Sequence, residues 1–241
     1  MTKEVSKEST LRAAEYCLGI YEFPGFPRVK WAHLDKDSEH IVYGVKSTED
    51  TFTVTFRGSQ TIIDYLRDIE AAQVATTVGT VYAGFNDHMN LKLIQQILNL
   101  ADHVAPGYKK IELYGHSLGA AHANVATALL KKHYPIINVQ ARVLFGEPMT
   151  GDAEFAEHVR GVPSKSFRAV ATDKDHDYDW VTDLPFRIPA LGLFNFVRPT
   201  PLTDLFREVK DEDFQEIRLN PLHSMKGYAR ATKELTLSRK S

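Results

Sequence analysis

One stretch of the sequence constrains the fold more than any other: an apolar run, a glycine-flanked serine and a long run of small residues follow one another. Residues 111–114 favour a strand, and residues 120–134, rich in alanine and leucine, favour a helix that Pro135 ends. Between them, residues 115–119 read GHSLG, which has the form Gly-x-Ser-x-Gly. Glycines at those two positions let a strand and a helix approach closely. We therefore expect Ser117 at a tight strand-to-helix turn, with its hydroxyl pushed into solvent.

The remaining sequence alternates strand and helix patterns and contains no internal repeat. Further strands are predicted over residues 41–46, 51–56, 79–83, 138–145, 166–171 and 191–197. Further helices are predicted over residues 62–73, 86–104, 152–160 and 222–237. This alternation predicts an α/β fold in which helices cover both faces of a mostly parallel central sheet. We expect a single domain over residues 1–241.

Composition narrows the functional class. The 29 lysines and arginines do not exceed the 31 aspartates and glutamates, so no basic excess favours nucleic-acid binding. Cys17 is the only cysteine, which excludes an intramolecular disulfide and an all-cysteine metal cluster. The polar N-terminus resembles no signal peptide, and no apolar run is long enough to span a membrane. We expect a cytoplasmic protein, with export by a route that needs no cleaved signal as the alternative.

Several short motifs occur in one order along the chain. They are FRGS at 56–59 followed by DYLRD at 64–68, YAGF at 82–85, GHSLGAAHA at 115–123, FGEP at 145–148 and GDAEF at 151–155. Together they resemble the class 3 (fungal-type) lipase family of α/β-hydrolases, over roughly residues 40–230. The resemblance implies an α/β-hydrolase fold and hydrolysis of carboxylic esters such as acylglycerols, with no metal or organic cofactor.

The sequence departs from the family pattern at three positions. Tyr82 stands where the family usually has histidine, and Glu147 and Met149 replace small or basic residues around Pro148. These departures indicate a remote member rather than a loss of chemistry.

The motif predicts a nucleophilic serine, and in this fold class an acid and then a histidine follow it along the chain. His223 resembles the catalytic histidine near the family's C-terminus; a partnerless helix-cap histidine is the alternative. The family places its acid before x-V-x-x-L-P, a spacing that Asp179 fits. Counted from Arg168, the acid comes earlier, and Asp173 is then the alternative.

The oxyanion of an acyl-transfer reaction needs two converging donors. The backbone N–H of Leu118 follows Ser117 at the start of the predicted helix and is one candidate. Ser59 matches the family position whose backbone N–H is the second donor. The alternative is that residues 57–59 form only a polar turn after a buried strand.

Three segments have two interpretations each. Residues 61–70 resemble the family's lid, which covers the site in water and contacts a lipid surface, or they form an ordinary surface helix. Residues 185–197 line an acyl pocket or belong to the core. Asp173, Asp175 and Asp177 alternate as at the start of a calcium loop, but the glycine and glutamate that such a loop needs are absent, so we expect no metal site there.

Other functions stay open at this stage. A soluble esterase for short acyl chains or phenolic esters fits the same motifs, and so does a phospholipid or lysophospholipid acyl hydrolase. A non-catalytic relative that binds a ligand is the third alternative, although all three triad candidates are present.

Overall fold

A computed structural model describes residues 4–24, 26, 28–35, 43–48, 50–59, 73–86, 89–172, 177–184, 196–216 and 220–238. Three expectations fall largely or wholly outside these ranges. They are the lid over 61–70, the alternative acid Asp173 with its neighbour Asp175, and most of the apolar segment 185–197.

The described ranges contain nine strands. They are β1 (His33–Leu34), β2 (Tyr43–Ser47), β3 (Thr51–Phe56), β4 (Gln73–Thr76), β5 (Gly79–Tyr82), β6 (Lys110–His116), β7 (Val139–Phe145), β8 (Ser164–Ala171) and β9 (Leu202–Arg207). Seven of them form one sheet in the order β1-β2-β3-β6-β7-β8-β9, and β4 pairs with β5 separately. From β3 to β9 all neighbours in the large sheet are parallel, whereas β1 and β2 are antiparallel. The predicted mostly parallel sheet is confirmed.

Helices lie on both faces of the sheet. They are α1 (Lys7–Gly19), α2 (Ala83–Asn86), α3 (Leu91–Val104), α4 (Leu118–His133), α5 (Ala153–Val159), α6 (Asp211–Glu216) and α7 (Met225–Ser238), with single 3-10 turns at Trp180–Asp183 and Pro221–His223. One apolar core joins β3 and β6 to α3, α4 and α5. A second core joins β6, β7 and β8 to α1 and α7 on the opposite face. None of the helices in the described ranges is both long and apolar enough to cross a bilayer.

Several predicted boundaries are wrong. The last strand of the sheet is β9, which was not predicted, while Phe196 and Val197 lie outside any strand. Gln73, the end of a predicted helix, opens β4. Helix α3 begins at Leu91 rather than at residue 86, because the side chain of Asn90 caps it by accepting a hydrogen bond from the Leu93 N–H at 3.1 Å.

The topology brings three separate segments to one edge of the sheet. Ser117 follows β6 directly, Asp179 comes after β8 along the chain, and His223 comes after β9. Because β6, β8 and β9 are parallel, their carboxyl ends lie at the same edge, where sites of α/β proteins are usually found.

Candidate active site

Ser117 occupies a strained turn between β6 and α4. Its φ of +59° and ψ of −126° are unusual for a residue with a side chain. A Cβ at Gly115 would collide with the Gly119 carbonyl, and one at Gly119 would collide with that of Phe56. The predicted strand-to-helix turn is therefore present, and its close packing requires glycine at both positions. Ser117 itself is fully buried, so the predicted exposure of its hydroxyl is wrong for this structure, in which the chain packed around the turn covers it.

Asp179 and His223 form a buried pair beside this turn. The Nδ1 of His223 lies 2.7 Å from Oδ2 of Asp179, and neither side chain is exposed. Three further donors hold the carboxylate. The N–H of Val181 at 3.1 Å and Nδ2 of Asn220 at 3.0 Å donate to Oδ1, and the hydroxyl of Tyr228 at 2.7 Å donates to Oδ2. The structure thus joins His223 to Asp179, the acid that the spacing before Leu-Pro favours.

The surroundings of Asp179 keep it charged. Burial acts to raise the pKa of Asp179, but the adjacent His223 and the Tyr228 hydroxyl more than offset it, so this pKa lies below its usual range. A charged carboxylate only accepts hydrogen bonds, so Nδ1 of His223 carries the proton of this bond. Neither Nε2 of His223 nor Oγ of Ser117 has a hydrogen-bond partner among the described residues.

Gly146 makes the close approach of the pair possible. It follows β7 with a φ of +58°, a conformation that favours glycine. A Cβ there would lie 2.7 Å from Cε1 of His223 and 2.8 Å from Oδ2 of Asp179. The glycine of the FGEP motif therefore leaves the space that the imidazole and the carboxylate fill.

The two predicted oxyanion donors belong to two segments that meet at the serine turn. Leu118 is the first residue of α4, so its N–H has no carbonyl partner within the helix. The loop after β3 lies against the turn, since a Cβ at Gly58 would come within 2.8 Å of Cβ of Ser117. Ser59 follows in this loop and faces a pocket of about 390 Å³. The pocket is lined by Tyr21, Phe23, Ser59, His116, Gln215, Glu216 and Lys226.

An apolar cluster contains Leu118, the residue that follows the serine. Its members are Tyr82, Phe85, Leu118, Ala121, Met149 and Phe196. Two of the departures from the family pattern, Tyr82 and Met149, are thus packed beside Leu118. The third, Glu147, is buried and accepts a hydrogen bond from Nδ2 of Asn124 at 2.6 Å. Burial is the main cause of its raised pKa.

The described ranges contain no group of three or more histidine, cysteine or carboxylate side chains placed to hold a metal ion. Of the three aspartates in the calcium alternative, only Asp177 is described, and it is exposed.

Sequence reasoning missed four residues around the pair. Asn220 and Tyr228 contact Asp179 and lie three residues before and five residues after His223, so their nearness along the chain was a usable signal. His116 stands inside the serine motif, and its Nε2 contacts the backbone of His223. Tyr21 contacts His116 from far along the chain, and no pattern in the sequence indicates that contact.

The strand order and the serine turn together define the class of the protein as an α/β-hydrolase. The sequence profile described as Lipase (class 3) matches residues 53–188, more than half of the chain. The chain therefore belongs to the class 3 lipase family and is a lipase-type carboxylic ester hydrolase of the serine type. No curated protein matches it in sequence.

Solved structures of lipases share the fold. The triacylglyceride lipase of Rhizomucor miehei is 22% identical, with 86% of this chain and 82% of that chain covered and a TM-score of 0.59. A triacylglycerol lipase whose catalytic centre is formed by a serine protease triad is 20% identical, with coverages of 85% and 79% and a TM-score of 0.59. MDLA of Penicillium cyclopium is 20% identical, with coverages of 85% and 78% and a TM-score of 0.56.

Proposed function

We propose that the chain hydrolyses carboxylic esters of lipids through an acyl-enzyme, with Ser117 as the nucleophile, His223 as the general base and Asp179 as the orienting acid. The observation that carries the proposal is the buried Asp179–His223 hydrogen bond of 2.7 Å. It leaves Nε2 of His223 as a proton acceptor at the sheet edge where Ser117 also lies.

The reaction proceeds in two halves. Oγ of Ser117 attacks the ester carbonyl while Nε2 of His223 takes its proton, and the imidazolium then gives that proton to the leaving alcohol. Asp179 stabilises the imidazolium and holds the tautomer. In the second half, His223 deprotonates a water molecule that attacks the acyl-enzyme, and the imidazolium returns that proton to Oγ of Ser117 as the bond to the acyl carbon breaks and the acid leaves.

The tetrahedral intermediates need donors for the developing negative charge. We assign this role to the backbone N–H groups of Leu118 and Ser59. Leu118 also lies at the N-terminus of α4, where the helix dipole favours negative charge.

An apolar cluster and a pocket near the serine turn suggest where the parts of the substrate lie. The apolar cluster that contains Leu118, Met149 and Phe196 supports binding of an acyl chain. The pocket beside Ser59 has a more polar lining, which includes Glu216 and Lys226, and it supports binding of the alcohol part. We extend the proposal to residues 61–70 as a segment that contacts lipid surfaces.

One feature favours a second candidate, a phenolic ester. The rings of Tyr21 and Phe23 are stacked, with centroids 5.2 Å apart and an interplanar angle of 9°. Both line the pocket beside Ser59, where an aromatic leaving group would meet aromatic walls.

Hydrolysis of p-nitrophenyl esters from acetyl to palmitoyl tests the proposal, with Ser117→Ala as the matched variant. The wild type should hydrolyse them, with an optimum at long acyl chains, and Ser117→Ala should lose activity by about a millionfold. An optimum at acetyl or butyryl indicates a short-chain esterase. An acyl series carried by a neutral alkyl alcohol, compared with the p-nitrophenyl series, separates lipid from phenolic esters. If no ester is hydrolysed, with or without a lipid emulsion, the proposal is wrong.

A further inference from the structure

A continuous chain of three hydrogen bonds connects the loop of Ser59 with the backbone of His223. The N–H of Gly58 donates to the hydroxyl oxygen of Tyr21 at 3.1 Å. That hydroxyl lies 2.7 Å from Nδ1 of His116. The other ring nitrogen of His116, Nε2, lies 2.8 Å from the backbone carbonyl oxygen of His223.

The chemistry of the groups fixes the direction of each bond. The carbonyl of His223 can only accept, so Nε2 of His116 carries a proton. In a neutral ring Nδ1 is then an acceptor, and the Tyr21 hydroxyl must donate to it. A lone pair of the same hydroxyl oxygen remains for the N–H of Gly58. One arrangement of protons therefore satisfies all three bonds.

The ring of His116 stays neutral over the ordinary pH range. Burial, and then the nearness of His223, lower the pKa of His116 to about 3. The two imidazole rings have centroids only 4.7 Å apart, so a second positive charge here would oppose the imidazolium that His223 becomes during the reaction.

The loop that contains Gly58 packs closely against Tyr21. A Cβ at Gly58 would lie 2.6 Å from the Tyr21 hydroxyl oxygen and 2.6 Å from the carbonyl oxygen of His116. The guanidinium of Arg57 lies over the Tyr21 ring, 5.4 Å from its centroid. Two successive residues of the loop, Arg57 and Gly58, therefore contact Tyr21.

We propose that Tyr21 is a positioning residue for ester hydrolysis. Its hydroxyl holds Gly58, and so fixes the direction of the neighbouring Ser59 N–H, while through His116 it holds the peptide of His223. One group thereby sets the spacing between an oxyanion donor and the general base. The inference rests on the proposed function, because it requires those two roles.

Tyr21→Phe removes only the hydroxyl and tests the proposal kinetically. We expect kcat on a p-nitrophenyl ester to fall about tenfold, less than the loss of a whole oxyanion donor, while KM stays within about twofold. The matched control is Tyr114→Phe, which removes another buried hydroxyl, one that bonds to Arg12 and Glu112 instead. Its kcat should match the wild type. An unchanged kcat in Tyr21→Phe, or an equal fall in both variants, overturns the proposal.

Nitrogen-15 NMR of the histidine rings tests the same chain without any activity. In the wild type we expect the His116 ring to be protonated at Nε2 only, and to stay so down to about pH 4. In Tyr21→Phe the Nδ1 resonance of His116 should move, while the Nδ1–H signal of His223 should stay in place. A His116 ring protonated at Nδ1, or titrating near pH 6.5, overturns the inference even if Tyr21→Phe fails to fold.

The two measurements distinguish the possible failures. A wild type that hydrolyses no ester, yet shows the expected His116 tautomer, refutes the proposed function and leaves the hydrogen-bond chain intact. An active wild type with the other tautomer refutes the role of Tyr21 and leaves the Ser117 mechanism intact.

Discussion

At the scale of single residues, Asp179 is the group whose charge the site depends on most. Asp179→Asn keeps its shape but leaves His223 free to adopt the wrong tautomer, so kcat should fall by about ten-thousandfold. The matched control is Asp173→Asn, at the alternative acid, which should keep kcat within about twofold. Steady-state kinetics of both variants on one p-nitrophenyl ester decides which aspartate is the acid. The reverse pattern would move the acid to Asp173.

The lowered pKa of Asp179 also predicts a pH dependence of stability. Because the folded pKa lies below the unfolded value of about 3.9, the charged group adds stability above that unfolded value. This contribution is lost as the pH falls through the folded pKa. The wild type should therefore lose more free energy of unfolding than Asp179→Asn between pH 5 and acid pH. Urea unfolding of both proteins at several pH values measures the difference, and parallel pH profiles would contradict it.

How much of the site the sequence could predict depends on how local each contact is. Ser117 carries its own pattern, because the turn geometry requires two glycines at fixed offsets. His223 and Asp179 could be chosen only through the family resemblance, since the sequence offers several histidines and aspartates. The sequence could not predict the contacts of Tyr21, because its partners Gly58 and His116 lie far from it along the chain and meet it only in the folded structure.

At the scale of elements, a buried ionic cluster ties β9, α6 and α7 to the turn that carries His223. Arg207 donates to the fully buried Asp213 at 2.7 Å and to the carbonyl of Pro221 at 2.7 Å. Arg230, on α7, donates to the same carboxylate at 2.8 Å. The segment before His223 is therefore held from β9 by a guanidinium whose charge Asp213 balances.

Asp213→Asn tests how much this cluster contributes to the stability of the protein. It leaves the buried charge of Arg207 without its counter-charge, and the free energy of unfolding should fall by about 3 kcal/mol. Glu212→Gln is the control, since the side chain of Glu212 is 41% exposed and pairs with Arg230. Its effect should stay below about 1 kcal/mol. If urea unfolding gives equal decreases in the free energy of unfolding for the two variants, then burial of the Arg207–Asp213 pair does not determine its contribution to stability.

The elements that sequence patterns predicted are those with buried apolar side chains. Strands β3, β6 and β7 are almost entirely buried, and their sequences are runs of apolar or β-branched residues that a few polar side chains such as Glu112 and Arg142 interrupt. Strand β9 is an edge strand with several exposed side chains, including Asp204, so its sequence lacks such a run. Helix α1 buries mainly small or polar residues such as Ser9 and Ala13, a face that periodicity does not reveal.

At the scale of the whole molecule, α1 closes the face of the sheet opposite α4. Its residues Ala13, Ala14 and Cys17 pack in the core that also contains Tyr228 of α7. Arg12 pairs at 2.8 Å with Glu112, whose side chain is only 2% exposed in the middle of the sheet. The N-terminal helix therefore packs in the same core as Tyr228, whose hydroxyl contacts Asp179, and we expect it to unfold together with the sheet.

Cys17 allows this expectation to be tested, because it is the only cysteine in the chain and is fully buried. Burial also raises the pKa of its thiol, so reaction with a disulfide reagent requires α1 to open. We expect no labelling of the native protein, and a urea midpoint for labelling that coincides with unfolding measured by circular dichroism. Ile136→Cys is the control, since residue 136 is 92% exposed and should add one fast-reacting thiol. Labelling of Cys17 well below the unfolding midpoint would mean that α1 detaches while the sheet stays folded. In that case ester hydrolysis should decline along with the labelling transition, because α1 supports the core behind Tyr228.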